Sequence, residues 1–524
     1  MLRTHMIGFG FIALALTVPG MAAEKVHLSV GVSKPGAKID RNIFGQFAEH
    51  LGHGIYEGIW VGPDSTIPNT RGIRNDVVAA LRALKVPNVR WPGGCFADEY
   101  HWRKGLGPFD KRTVTLNPNW GGVTEPNTFG THEFMDFIDQ ISSEAYISVN
   151  VGSGTPQEAA EWLEYLTTDQ PTTLAKERAT DGHPAPYKVG FLGIGNESWD
   201  CGGNMTADYY LSQLKIYSRF VRNYNPAQED KRQMLEIAVG PGDGSTEWTE
   251  SIMKAYRGRH WSWDINGLSM HSYTVVKWPP SFASVGFGEA EYSRILNSTL
   301  EMENLVTKQS AVMDKYDPEK RVALVVDEWG AWYAPLPGTN PGFLVQQNSL
   351  RDAILASLNL NIFARHADRV RMANIAQMIN VLQAMIITNK EKMVLTPTYQ
   401  VFRMYVPFQD ATLVPVTFDA GIYTQGDIRL PRLDAIAAKD ASGKLWLEVT
   451  NLDPEQPVEI EAELAGIQVK SAAGEMLTAP KVDSVNSFEA PNAVAPKPVS
   501  AKVQDGKLVL KLEPKSVTVV ALEQ

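Results

Sequence analysis

Glu197 and Glu328 are the residues of this sequence best placed to do chemistry. Each ends an apolar run, "VGFLGIGNE" at 189–197 and "KRVALVVDE" at 320–328, and each is followed at once by tryptophan-bearing chain, "SWDCGG" and "WGAWY". A carboxyl at the end of a buried strand is partly desolvated, and two such groups brought to one point divide into an acid and a base. A pair of this kind suits glycosidic bonds. At a separation of ~5–5.5 Å one carboxyl protonates the leaving oxygen while the other attacks, whereas at roughly 6.5–9.5 Å a water fits between them. Trp199, Trp329, Trp332 and Tyr333 lie beside the two glutamates and offer aromatic faces to sugar rings, and the amide of Asn196 can both donate to and accept from a hydroxyl. A single strand-end glutamate is as often a helix cap or an arginine's partner. Two in matching contexts favour chemistry.

The elements that must position them alternate between strand-like and helix-like runs. Strand-like runs fall at 42–47, 86–91, 145–152, 187–195, 235–240, 265–273, 321–328 and 368–378. Helical period and composition mark 74–85, 131–142, 206–224 and 344–366, with Thr131 expected as an N-cap. Eight alternating units predict a parallel sheet closed into a (β/α)₈ barrel. A doubly wound open sheet is disfavoured, because no well-placed G-x-G-x-x-G or P-loop is found. In a barrel the C-terminal strand ends share one mouth, so Glu197 on the fourth strand and Glu328 on the seventh meet there although they are 131 positions apart.

Outside the barrel the pattern changes. Strand–turn–strand readings at 433–453 and 507–523, near period two, predict a C-terminal all-β sandwich over 396–524. Residues 40–395 are expected to be the barrel, and 24–39 to supply a strand that joins the sandwich. Residues 1–23 read as a secretory signal peptide: Arg3, an apolar segment from Met6 to Val18, and small residues for cleavage near Ala22 or Ala23. That segment is shorter than the roughly 20 residues a bilayer needs. A periplasmic or secreted protein is therefore expected.

A net charge of −10 argues against a nucleic acid or an anionic membrane as partner. The two cysteines, Cys95 and Cys201, lack metal-ligand spacing, and the ten histidines include no H-x-x-x-H or H-x-H. No metal or organic cofactor is expected, since two carboxylates suffice.

Several stretches, in order, resemble glycoside hydrolase family 51, the α-L-arabinofuranosidases. They are "IFGQFAEHLGHGIYEGIWVG" (43–62), "VRWPGGCFADEYHW" (89–102), "EPNTFGTHEFMDF" (125–137), "GIGNESWDCGG" (193–203), "LSMHSY" (268–273), "VVDEWGAWY" (325–333) and "ANIAQMINVLQA" (373–384). The resemblance implies a retaining exo-acting hydrolase that removes terminal α-L-arabinofuranosyl groups from arabinan, arabinoxylan or their oligosaccharides. It implies Glu197 as acid/base, Glu328 as nucleophile and Asn196 as a 2-hydroxyl ligand. Glu49, Cys95 and Gln377 would hold the furanose, Tyr273 would orient the nucleophile, and Arg90 and His271 would support them. It also implies a homo-oligomer, with a hexamer one form. Without the resemblance, His271 reads as a satisfied barrel-end histidine and Arg90 as the neutraliser of a buried acid. Trp102 and Trp120 stand between a leaving-group subsite and simple packing, and Asp98 and Glu99 between solvated and supporting residues. A Cys95–Cys201 disulfide stays open, and would turn Cys95 from a thiol contact into a staple of the pocket. The rivals are an endo-acting β-glucanase or xylanase with the same glutamates, and a non-catalytic carbohydrate-binding protein that would not require both.

Overall fold

The computed structural model describes residues 24–229, 233–242, 244–465, 468–504 and 506–523. The expected signal peptide, residues 1–23, lies outside them. Eight parallel strands close into a barrel: β1 Gly45–Phe47, β2 Asn88–Trp91, β3 Glu144–Val149, β4 Phe191–Ile194, β5 Leu235–Ala238, β6 Gly267–Thr274, β7 Ala323–Ala331 and β8 Val370–Ile375. Closure is made where Asn374 of β8 pairs with Gly45 of β1.

Alternation along each strand sorts side chains between two cores. Tyr146, Phe191, Ile237, Val325 and Met372 fill the barrel interior. Their neighbours Ile147, Leu192, Ala238, Leu324 and Ala373 face outward and pack in the main core with the helices.

A helix follows every strand: α1 Asn75–Ala83, α2 Thr131–Ile141, α3 Pro156–Thr167, α4 Ala207–Phe220, α5 Glu247–Arg257, α6 Glu289–Tyr316, α7 Leu350–Arg365 and α8 Pro397–Met404. Local chemistry starts them. Thr155 and Thr396 cap α3 and α8 by accepting the N–H of Glu158 and Tyr399, and each is followed by proline in the first turn, where no N–H is needed. At α2 the cap is Gly130, whose N–H donates to Glu133. Thr131 is already helical, and its hydroxyl accepts from the Trp162 indole at 3.1 Å, which frees it from the capping expected of it. Because α8 packs against α7, the barrel unit runs past residue 395.

The C-terminal strands form two sheets around their own core of Val, Leu, Ile and Ala side chains. Strand Lys497–Gln504 passes between the sheets, pairing first with Ser471–Leu477 and then with Lys507–Leu512. The N-terminal strand Glu24–Val30 lies parallel to Val458–Leu464 in this sandwich. Helix α7 joins the two units through a buried polar cluster. Glu448 of the sandwich accepts from Ser357 at 3.2 Å and from Asn361 at 2.7 Å, both on α7, and from its neighbour Thr450. Burial pushes the Glu448 carboxyl up to about 8.

Candidate active site

All eight strands end at one mouth, and six of them deliver polar side chains to it. Arg90 on β2 is wholly buried, so its charge must be matched from within. It donates to Glu328 Oε1 at 2.7 Å and to Asn196 Oδ1 at 2.5 Å, and its guanidinium lies 4.6 Å from the Phe47 ring centre. Tyr273, at the end of β6, donates to the other oxygen of Glu328 at 2.6 Å. The turn after β2 presses close, and a Cβ on Gly94 would sit 2.8 Å from Glu328 Oε1, so a side chain there would displace the carboxylate.

Glu197 enters from the turn after β4 with φ +37°, a left-handed conformation that a non-glycine residue adopts only when its surroundings hold it. Asp98 provides part of that hold. It is buried and accepts the backbone N–H groups of Asn196 at 3.0 Å, Val151 at 2.8 Å and Gly152 at 2.7 Å. The Cys95–Cys201 disulfide provides another part, with Cα atoms 5.5 Å apart, joining the β2 and β4 loops. Cys95 is therefore a staple and not a free thiol, and Cys201 Sγ lies 3.6 Å from Glu197 Oε2. The other oxygen of Glu197 stands 2.8 Å from His271 Nδ1. Burial raises the pKa of Glu197, and the charge of Glu328 adds to the rise against the opposing His271.

Glu49, just past β1, collects four donors. Gly94 and Phe96 donate backbone N–H groups, the Trp120 indole donates at 2.9 Å, and Gln377 donates at 2.8 Å from beyond β8. Burial, helped by Glu328, pushes Glu49 up to about 7. An oxygen of Glu197, a ring nitrogen of His271 and an oxygen of Glu328 lie within 4.8 Å of one another, close enough to hold a metal ion. His271 is pushed up to about 10: burial works against its charge, but Glu328 and Asp327 outweigh it, so a metal ion there would have to displace the imidazole's proton.

The structure thus brings Glu49, Arg90, Cys95, Asn196, Glu197, His271, Tyr273, Glu328 and Gln377 together. It separates several aromatic residues from them. Trp329 points out of the barrel and packs on Phe363 and Phe402, while Tyr333 is buried with its hydroxyl donated to Asp352. Neither offers a face to a sugar. Trp102 is wholly buried against Trp162, and the Trp199 indole is spent on the Gly240 carbonyl. Trp120 and Trp332 do reach the mouth, Trp332 standing edge-on to Tyr273 at 4.9 Å. Asp98 is a buried support, and Glu99 is exposed. Sequence reasoning missed Asp327, which is buried among Arg90, Tyr146 and His271. Its one signal was its place beside Glu328.

A closed parallel barrel with two facing glutamates, one beside a buried arginine and the other beside a histidine, defines a barrel glycoside hydrolase. Comparison with known proteins narrows the class. Residues 80–275 match the α-L-arabinofuranosidase 1 domain and residues 327–516 the α-L-arabinofuranosidase C-terminal domain. An intracellular exo-α-L-arabinofuranosidase of Bacteroides ovatus is 44% identical, covering 97% of this chain and 98% of its own. The crystal structure of the family 51 arabinofuranosidase from Xanthomonas axonopodis pv. citri superposes with a TM-score of 0.92 at 51% identity, over 95% of this chain and all of that one. The thermostable family 51 enzyme of Thermotoga petrophila RKU-1 gives 0.81 at 32%, again over 95% of this chain and all of that one. The chain belongs to glycoside hydrolase family 51, the α-L-arabinofuranosidases. One expectation is corrected by these relatives. The Bacteroides ovatus protein is named intracellular, which overturns the export expected from the N-terminal segment. One arginine and a short apolar run are a signal of composition alone.

Proposed function

We propose that this protein is a retaining exo-α-L-arabinofuranosidase that releases terminal non-reducing arabinofuranosyl groups from arabinan, arabinoxylan and their oligosaccharides. Glu328 is the nucleophile. Arg90 and Tyr273 each bind one of its oxygens, which aims the carboxylate and leaves its charge matched. Glu197 is the acid/base: its raised pKa keeps the proton needed by the leaving oxygen. Once Glu328 is esterified its charge is gone, the raising influence on Glu197 falls, and Glu197 takes a proton from the attacking water. Glu49 and Gln377 form a polar wall against the furanose hydroxyls, and Asn196, fixed by Arg90, faces the 2-hydroxyl.

The observation that carries this reading is the approach of Glu197, His271 and Glu328 within 4.8 Å. That closeness supports a retaining pair, whose carboxyls stand ~5–5.5 Å apart, over an inverting pair at roughly 6.5–9.5 Å. The exo preference and the α-L-arabinofuranosyl group rest on the named activity of the Bacteroides ovatus relative, and the polysaccharides on the family resemblance. The test is hydrolysis of an aryl α-L-arabinofuranoside beside an aryl β-D-xyloside and a β-glucan oligomer, with Glu328→Ala as control. Release from the arabinofuranoside alone, abolished in the variant, supports the proposal. Cleavage of the glucan overturns the substrate, and activity surviving in Glu328→Ala overturns the nucleophile.

A further inference from the structure

Strand β7 bulges around Asp327, where its pairing with both neighbours slips by one residue. On one side Ser269 pairs with Val325 and His271 with Glu328, and on the other Val326 pairs with Ala373 and Trp329 with Ile375. Two steps of each neighbouring strand thus oppose three of β7, which is a β-bulge around Asp327. In a regular strand Asp327 would face the interior and Glu328 would face the helices. The bulge turns both acids to the mouth and sends Trp329 outward.

What the second acid does there is legible from its partners. Asp327 is 2% exposed. Its Oδ2 accepts from the Tyr146 hydroxyl at 2.7 Å and lies 3.5 Å from Arg90 Nε. Its Oδ1 lies 3.2 Å from His271 Nε2. The other nitrogen of that ring stands 2.8 Å from Glu197 and 3.5 Å from Glu328. The imidazole therefore has one carboxylate behind it and two glutamates in front.

We propose that Asp327 is a positioning residue for the hydrolysis, holding His271 as a fixed cation shared by the two glutamates, which offsets the charge of Glu328 before glycosylation and of Glu197 after it. This rests on the acid/base and nucleophile assignments above. The charges around the ring are those of Glu197 from β4, Asp327 and Glu328 from β7, and Arg90 from β2, with the neutral hydroxyls of Tyr146 and Tyr273 completing the shell. Glycosylation moves one negative charge from Glu328 to Glu197 without changing the total. A cation that touches both serves both states without moving. The protons balance: Glu197 gives one to the leaving oxygen and recovers one from water, and His271 keeps both of its own throughout. Burial alone would strip the ring of its proton. Asp327 opposes that, and its own pKa stays low, since the charges of Arg90 and His271 outweigh the burial that works to raise it.

The test is a titration of the imidazole itself. In enzyme labelled with ¹⁵N-histidine, the signals of His271 are assigned by their absence from His271→Gln and followed from about pH 5 to pH 9. The wild-type ring keeps both N–H groups throughout, and in Asp327→Asn it titrates near the ordinary value of about 6.5. In the same variant the alkaline limb of the pH profile of kcat/KM moves upward by about one pH unit, because above the new imidazole value the lost imidazolium is nearer to Glu197 than the lost carboxylate, while the acid limb, where the ring still holds its proton, moves slightly downward with the loss of the Asp327 charge. Its kcat and KM fall together as deglycosylation slows. Tyr146→Phe, which only loosens Asp327, moves the ring in the same direction by less, and stands in if Asp327→Asn does not fold. A wild-type ring neutral at pH 7, a titration unchanged in both variants, or activity lost with unmoved limbs overturns the proposal. The ring titration reads His271 whichever glutamate is the nucleophile, so it fails separately from the assignment on which it rests.

Discussion

Replacing Arg90 by methionine tests how the site tolerates its buried charges. Methionine fills much the same space beside Phe47 but removes the guanidinium that touches Glu328, Asn196 and Asp327. Breaking a buried ion pair from one side costs about 3–5 kcal/mol, because the remaining charge keeps its desolvation without its partner. The pH dependence has a definite sign. The folded-state pKa of Asp327 is lowered, so the stability it contributes is present above its unfolded value of 3.8 and is lost as pH falls through the folded value. The variant lacks most of that contribution, so the gap between the two proteins is wide at pH 7 and narrows below about pH 4. In catalysis, two charge-assisted hydrogen bonds at about 1.5–3 kcal/mol each are withdrawn from Glu328 and from Asn196. Even half of that, felt in the transition state, lowers kcat/KM by about 10- to 10²-fold. Arg90→Lys separates charge from geometry: it keeps the cation but not the fork, so it recovers stability more than activity. Urea unfolding across pH, beside kinetics on an aryl arabinofuranoside, reads both quantities. A methionine variant as stable as wild type at pH 7, or a gap that persists unchanged in acid, would refute the reasoning.

Three further outcomes are expected. Glu49→Gln places an amide among four donors, so kcat/KM falls about 10²- to 10⁴-fold, the worth of roughly two hydrogen bonds to a charged group, in steady-state kinetics. Cys201→Ser opens a link between residues 106 apart, and chain entropy for a loop of about 100 residues puts the stability loss near 4.7 kcal/mol; wild type unfolded under a thiol reductant shows the same loss. Glu448, pushed up to about 8 by burial, stays protonated in the folded state while the unfolded carboxyl ionises near 4.5, so wild-type stability declines between those values. Glu448→Gln removes that slope, and its melting temperature changes less over the same range.

Much of this architecture was written in local patterns. Strand ends are legible because buried parallel strands are apolar runs that stop where the chain meets the mouth, which is how Glu197 and Glu328 announced themselves. The family stretches located Glu49, Asn196, Tyr273 and Gln377 as well. What stayed hidden depends on register or on distant partners. Regular alternation lets only one of Asp327 and Glu328 face the mouth unless the bulge in β7 is known, and no period reveals one extra residue. The same bulge explains the misreading of Trp329, which was expected beside a sugar and packs instead on Phe402. Asp98 and Cys201 act through chain folded back from elsewhere, so their burial and pairing could not be read from their neighbours. The end of the barrel was placed too early because α8 is short and follows a hairpin, Ile386–Asn389 with Lys392–Leu395, that resembles the start of the β domain.

The measurement that reaches the central claim most directly is the configuration of the first product. With methanol as competing acceptor, proton NMR of the initial reaction on an aryl α-L-arabinofuranoside shows which methyl glycoside forms. Two displacements, at Glu328 and then from it, give methyl α-L-arabinofuranoside, and the product disappears in Glu328→Ala. Methyl β-L-arabinofuranoside, or no transfer to methanol with free arabinose released first as the β anomer, would contradict a nucleophilic Glu328 standing within 4.8 Å of its acid/base partner.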